Sequence, residues 1–139
     1  MDAVVVERNP ALGTMNDRPL VAVVDDNASI LESLPALLKQ VGFSVQAFAS
    51  AEAFLASDAV DTAGCLILDV KMPHMSGPEL QRELVRRGKS VPTVFITGQA
   101  DASALARLVA TGAVACLFKP FSDAALLEAV DAALDRSSG

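Results

Sequence analysis

Short apolar runs and longer amphipathic segments alternate along the chain five times. The runs are too short for buried helices and lie between turn-forming residues, which is typical of buried β-strands. The segments that follow carry apolar residues at every third or fourth position, a spacing that predicts amphipathic helices. The five runs are Leu20–Val24, Phe43–Phe48, Cys65–Leu68, Thr93–Ile96 and Val114–Phe118.

Capping residues predict where the five helices begin and end. Residues whose side chains accept hydrogen bonds from free backbone N–H groups favour helix starts, proline is favourable in the first turn, and glycine favours helix ends. The first and fourth predicted helices end at Gly42 and Gly112. The predicted starts are Asn27 or Ser29, Ser50, Gly77-Pro78, Asp101 and Ser122.

Five largely apolar strands that alternate with helices predict an α/β fold with a parallel sheet covered on both faces. Right-handed crossovers favour a flavodoxin-like (βα)5, doubly wound five-stranded sheet with the strand order 2-1-3-4-5. We expect this single domain to span residues 20–136. Residues 1–19 contain two prolines and a glycine, and we expect a flexible leader there, or an arm that packs on the domain through residues 4–6.

Composition and charge exclude several classes of protein. The formal net charge is −6 and no basic run is longer than Arg86-Arg87, so we expect no direct contact with nucleic acid. No apolar stretch approaches the length of about 18 residues that a membrane span needs, so we expect a cytoplasmic protein without a membrane partner. Cys65 and Cys116 lie inside apolar runs, which favours free packing thiols over a metal knuckle.

Polar residues follow the predicted strands directly, namely Asp25-Asp26, Asp69, Thr97 and Lys119. The carboxyl ends of parallel strands share one edge of a sheet, so we expect three carboxylates to meet beside a single lysine. A divalent cation would neutralise the excess negative charge. Mg²⁺ suits oxygen ligands, whereas zinc is disfavoured because the only histidine is His74.

These residue types also support phosphoryl transfer. A carboxylate can attack phosphorus and form an acyl phosphate, and Asp69 stands alone at the middle strand, which makes it the expected nucleophile. We expect Asp26 and Asp69 to bind the metal directly, with Asp25 acting through water. Lys119 and the Thr97 hydroxyl can bind phosphoryl oxygens. In isolation, the acidic pair would be interpreted as a helix cap; beside the other groups, metal binding is favoured.

Four segments resemble the signatures of response-regulator receivers, each at a predicted strand end and in the order of that family. The resemblance extends from Leu20 to about Leu134, and the loops after the third and fifth predicted strands are most similar to those of receivers in nitrogen-fixation regulators. The segments are Val24-Asp25-Asp26, Leu68–Pro73, Ile96-Thr97-Gly98 and Phe118–Phe121.

The resemblance implies a two-component receiver that is phosphorylated on Asp69 in the presence of Mg²⁺. The donor would be a sensor histidine kinase, a phosphotransfer protein or a small acyl phosphate, and the protein would catalyse only its own phosphorylation and dephosphorylation. By the same resemblance, the backbone carbonyl of Lys71 would be a further Mg²⁺ ligand. The Lys119–Pro120 bond would be cis, and Gln99 and Lys71 would influence the lifetime of the phosphorylated state.

The resemblance further implies a downstream protein target and allows a homodimer through the face made by the predicted fourth helix, fifth strand and fifth helix. One residue departs from the family: Cys116 occupies a position that usually carries Tyr or Phe and takes part in the phosphorylation switch. This departure predicts altered or weakened signalling through that face.

Two other functions stay open at the level of sequence. The chain could be a phosphorylation-independent receiver-like interaction module, although its acid, threonine and lysine set is complete. It could also be an aspartyl-phosphate hydrolase or mutase, although such enzymes typically carry an Asp-x-Asp motif and a cap insertion, and this chain has adjacent acids instead.

Overall fold

A five-stranded parallel sheet forms the centre of the molecule. The computed structural model describes residues 20–98, 106–108, 110 and 112–138. The strand order is β2-β1-β3-β4-β5, and all neighbours are parallel, which confirms the predicted fold class and order. The strands are β1 (Leu20–Val24), β2 (Ser44–Phe48), β3 (Ala63–Asp69), β4 (Thr93–Thr97) and β5 (Ala115–Phe118).

Helices connect the strands. Residues 106–108 and 110 are helical as well, within the segment where the sequence predicts the fourth helix. The four-residue α3 was not predicted, because so short a helix shows no helical periodicity. The helices are α1 (Ala28–Val41), α2 (Ala51–Leu55), α3 (Ala59–Thr62), α4 (Gly77–Arg86) and α5 (Asp123–Ser138).

Part of the sequence-based prediction concerns residues outside the described ranges. The expectations for the leader at residues 1–19, for Gln99 and for the Asp101 cap lie there. Within the described ranges, every helix falls short of the combination of length and apolar character that crossing a membrane requires.

Local side-chain chemistry sets the helix ends. Asn27 caps α1 by accepting the backbone N–H of Ser29 at 2.8 Å, and Gly42 ends the same helix in the left-handed conformation, both as predicted. Helix α4 begins with a capping box in which Ser76 and Glu79 each accept the other's backbone N–H. The Ser-x-x-Glu spacing is a recognised signal for this box, and it was overlooked in the sequence.

Two apolar cores cover the two faces of the sheet. Because alternate strand residues point to opposite faces, Val23 and Ile67 belong to one core and Val24 and Leu68 to the other. The first core packs against α1 and α5, and the second packs against α2, α3 and α4. The central strands are therefore buried on both sides, which holds their carboxyl ends in position.

Gly77 lets α4 approach the end of β3 closely. Its N–H donates to the carbonyl oxygen of Val70 at 3.0 Å. A Cβ atom at this position would overlap the backbone carbonyl oxygen of Asp69 and press on the Leu68 side chain. A residue without a side chain is therefore required where the helix meets this strand end.

We expect Gly77→Ala to lower the free energy of unfolding by about 1–3 kcal/mol, the usual cost of forcing extra volume into a packed site. Urea denaturation followed by circular dichroism measures this change. Gly98→Ala is the matched control, since an added Cβ there meets no atom of the described residues within 4 Å, and we expect it to leave stability almost unchanged. Equal stability of Gly77→Ala and wild type would contradict the close approach.

Candidate functional site

The register of the sheet brings the polar strand ends together. Val24 of β1 pairs with Leu68 of β3, so the next residues, Asp25 and Asp69, lie side by side at the carboxyl edge. On the other side of β3, the backbone N–H of Lys119 donates to the carbonyl oxygen of Thr97 at 2.7 Å. The predicted site residues therefore share one edge of the sheet.

Three carboxylates form a compact cluster at this edge. Asp25, Asp26 and Asp69 each offer an oxygen, and these atoms all lie within 4.8 Å of one another. The Asp25 side chain is fully buried and that of Asp69 nearly so, whereas Asp26 is exposed. The cluster is thus anchored in the protein interior and open to solvent on the side of Asp26.

Lys119 provides the positive charge of the site. Its Nζ lies 3.0 Å from Oδ2 of Asp25 and 3.6 Å from Oδ1 of Asp69. The other oxygen of Asp25, Oδ1, accepts the backbone N–H of Asn27 at 2.8 Å. Both oxygens of Asp25 therefore have partners within the protein.

Asn27 was predicted only as a helix cap, and its backbone contact with Asp25 was missed. The signal was the two-residue spacing between them, because an Asp side chain often accepts the N–H two residues further on. This contact ties the buried acid to the first turn of α1.

The pKa of Asp69 is raised from 3.8 to about 6. Burial is the largest cause, because it disfavours the charged form, and the negative charge of Asp25 adds to it. Lys119 acts in the opposite direction. A further cation beside Asp69 would favour its ionised form, so the electrostatics of the cluster suit a positively charged ligand.

The donor set is suited to a hard metal ion. Among the described residues, this is the one group of three or more acidic, histidine or cysteine side chains close enough to share an ion, and all its donors are carboxylate oxygens. His74 is exposed in the loop before α4, where its φ is 71°. The cluster can therefore hold a metal ion.

Three further expectations concern the neighbourhood of the cluster. The Lys119–Pro120 peptide bond is cis, as the resemblance implied. Thr97 ends β4 and is nearly fully buried at the same edge. Lys71 is exposed in the loop between β3 and α4. Metal binding by its backbone carbonyl stays a prediction.

Both cysteines are free thiols outside the cluster. Cys65 is fully buried in the first core, and this burial raises the pKa of its thiol to about 12. Cys116 is partly buried on β5 beside Phe95 of β4, and burial raises its pKa as well. A raised pKa keeps a thiol in its protonated, unreactive form, which agrees with the packing role expected for both cysteines.

Comparison with known proteins gives consistent results. The family model described as "Response regulator receiver domain" matches residues 21–131. Response regulator protein TodT of Pseudomonas putida is 41% identical over 121 residues, which cover 86% of this chain and 53% of TodT. Transcriptional regulatory protein FixJ of Azorhizobium caulinodans is 41% identical over 118 residues, which cover 85% of this chain and 56% of FixJ.

The structural comparison agrees with these matches. The crystal structure of FixJ-N superposes with a TM-score of 0.77 at 39% identity, covering 87% of this chain and 96% of that one. This chain spans about half the length of the curated relatives it matches.

The raised pKa of Asp69 predicts how stability depends on pH when metal is removed with EDTA. The carboxyl has a pKa of 3.8 without the folded environment and about 6 within it. Folding therefore favours the protonated form, and stability is lost as the pH rises through this window. We expect the melting temperature of Asp69→Asn to exceed that of wild type by an amount that grows between about pH 4 and pH 6 and is then constant.

Asp58→Asn is the control for this measurement, because Asp58 is exposed and its side chain makes no capping hydrogen bond. Its melting temperature should follow that of wild type across the same range. A difference between Asp69→Asn and wild type that does not change with pH would contradict the prediction.

Proposed function

The chain belongs to the response regulator receiver domain family, and from this premise we propose that it accepts a phosphoryl group on Asp69 in a Mg²⁺-dependent reaction. The observation that carries the proposal is the position of the Lys119 ammonium, 3.0 Å from Asp25 and 3.6 Å from Asp69, beside a cluster of three acids. This arrangement joins a nucleophile, a cation for the transferred group and a site for a metal ion.

The proposed reaction is a displacement at phosphorus. A carboxylate oxygen of Asp69 forms the new O–P bond, while the P–N bond of a phosphohistidine or the P–O bond of an acyl phosphate breaks and the donor leaves with the electron pair. Asp69 supports this role because it ends the central strand β3, which both cores hold in place. The chemistry modifies the protein itself, and no external phosphomonoester is turned over.

Lys119 and Thr97 are proposed to bind the transferred group. The ammonium of Lys119 is already within reach of Asp69 and can pair with a phosphoryl oxygen bound there. The hydroxyl of Thr97 can donate a hydrogen bond to another phosphoryl oxygen. Thr97 ends β4 and Lys119 follows β5, and these two strands are neighbours, which supports a shared role for the two residues.

Mg²⁺ is the proposed metal ion, with Asp26 and Asp69 as direct ligands. Asp25 has both oxygens engaged within the protein, which supports contact through water instead. The backbone carbonyl of Lys71 is proposed as a further ligand. When bound, Mg²⁺ would neutralise negative charge on the phosphoryl group.

The proposed partners are a phosphodonor and a signalling target. A sensor histidine kinase or a phosphotransfer protein would supply the phosphoryl group, and a downstream protein, or a second copy of this chain, would bind the switched domain. TodT and FixJ are named a response regulator and a transcriptional regulatory protein, and this chain covers about half of each. The output of the whole protein is therefore proposed only as regulation through protein contacts in the cytoplasm.

Cys116 is proposed to alter the coupling between phosphorylation and output. It lies on β5 and packs partly against the second core, where a receiver usually places an aromatic ring. A thiol is too small to make the contacts of such a ring as it turns inward. The chemistry at Asp69 does not depend on this position.

We expect Asp69→Asn to abolish labelling by acetyl phosphate in the presence of Mg²⁺, because an amide cannot form the acyl phosphate. Intact-mass spectrometry detects one added phosphoryl group on wild type and on the control Asp58→Asn. Labelling that survives in Asp69→Asn would identify another acceptor. An unlabelled wild type would favour a phosphorylation-independent module, and turnover of a phosphomonoester would favour a hydrolase.

We expect Asp26→Asn to weaken Mg²⁺ binding by at least about tenfold, since even residues that only support a metal ligand contribute about 10–100-fold. The readout is the Mg²⁺ concentration that gives half-maximal labelling, with a rise in melting temperature on Mg²⁺ addition as a second measure. Glu52→Gln, an exposed acid on α2, is the control. Unchanged Mg²⁺ dependence in Asp26→Asn would remove this residue from the ligand set.

A further inference from the structure

A groove of about 740 Å³ runs along α1 and borders the phosphorylation site. One side is formed by α1 residues at helical spacing, from Asn27 to Gln40, and the other by residues 119–121 and 123. Lys119 belongs to both the groove and the acid cluster. A molecule bound in the groove could therefore reach the proposed acceptor Asp69 without leaving it.

The floor of the groove is apolar. Leu34 is almost fully buried, and Ile30, Leu37 and Phe121 pack only partly against the first core, which leaves apolar surface facing the groove. Burying such surface is favourable, and ligand grooves commonly combine an apolar wall with a few polar groups at one end. Here the polar end is the ammonium of Lys119.

The charges of the groove restrict what it can bind. Lys119 attracts an anionic group at the end nearest Asp69. The polar lining residues on α1 are uncharged, and Asp123, the one acidic residue among the described lining residues, disfavours a second anionic group. The matching ligand has a single anionic head and a neutral apolar tail.

Resting on the proposed phosphorylation of Asp69, we infer that this groove binds the hydrocarbon chain of an acyl phosphate whose phosphoryl group is transferred to Asp69. In the transfer, a carboxylate oxygen of Asp69 bonds to phosphorus, the bond between phosphorus and the acyl oxygen breaks, and the fatty carboxylate leaves with that electron pair. The groove would thus select phosphodonors by chain length.

The dimensions agree with a medium acyl chain. The stretch from Asn27 to Gln40 rises along the helix axis by roughly 20 Å, at about 1.5 Å per residue. An octanoyl chain fits within this length. Each buried methylene strengthens binding by about fourfold, so partial burial of the six extra methylenes relative to acetyl should raise the rate at low donor concentration by at least about tenfold.

The test compares initial rates of Asp69 labelling by octanoyl phosphate and acetyl phosphate, with Mg²⁺ present and with octanoyl phosphate kept monomeric. Both donors release an alkyl carboxylate, so the ratio of rates reports binding of the chain. For wild type, we expect octanoyl phosphate to react at least about tenfold faster. The chemistry at phosphorus is the same for both donors.

Two variants fill the groove, and one matched variant does not. Ala36 and Gln40 are exposed residues that line it, whereas Lys39 is an exposed residue on the same helix outside the lining. We expect Ala36→Phe to bring the octanoyl-to-acetyl ratio to within about twofold of one, and Gln40→Phe to lower it in the same direction. Lys39→Phe should keep the wild-type ratio.

Each outcome of the experiment decides the inference. A wild-type ratio near one, or a high ratio that both groove-filling variants retain, would overturn it and leave a macromolecular partner as the alternative occupant of the groove. A wild type that acetyl phosphate does not label would overturn the proposed function together with the inference. Failure of chain-length selection alone leaves phosphorylation of Asp69 standing, so the two failures are distinguishable.

Discussion

The ion pair between Lys119 and Asp25 connects the first strand to the segment after the last one, across 94 positions of sequence. Asp25 is fully buried, and a buried carboxylate is tolerated only when it is paired and hydrogen-bonded. Lys119 and the backbone N–H of Asn27 together meet that requirement. The same ammonium also faces Asp69, so one positive charge both stabilises the buried acid and lies beside the proposed acceptor.

The acid cluster and the residue that departs from the family pattern lie in different parts of this framework. The acids lie at the ends of strands that two cores hold in place, and the groove along α1 leads to them from the side of the first core. Cys116, the departure from the family pattern, packs on the opposite face of the sheet. The proposed effect of Cys116 on output therefore concerns a part of the domain separate from the proposed acceptor Asp69.

Much of the fold was predictable because its signals are local. Apolar runs bounded by caps placed all five strands, and Asn27 and Gly42 marked the ends of α1 correctly. The order of the sheet followed from general rules on crossovers rather than from any single residue. Helix α3, with only four residues, gave no periodic signal, and the capping box at Ser76 was an available signal that was overlooked.

The sequence by itself determined which residue types stand at the strand ends, since the acids, Thr97 and Lys119 all lie at the carboxyl ends of apolar runs. The metal and phosphoryl chemistry could be proposed from these residues. Only the tertiary structure decided that Asp25 is buried with both oxygens engaged, that Gly77 must lie against the backbone of Asp69, and that a groove opens beside Lys119. The physical reason is that strand periodicity and capping act between near neighbours in sequence. Burial, close approach and cavities depend on side chains from distant segments packing against one another.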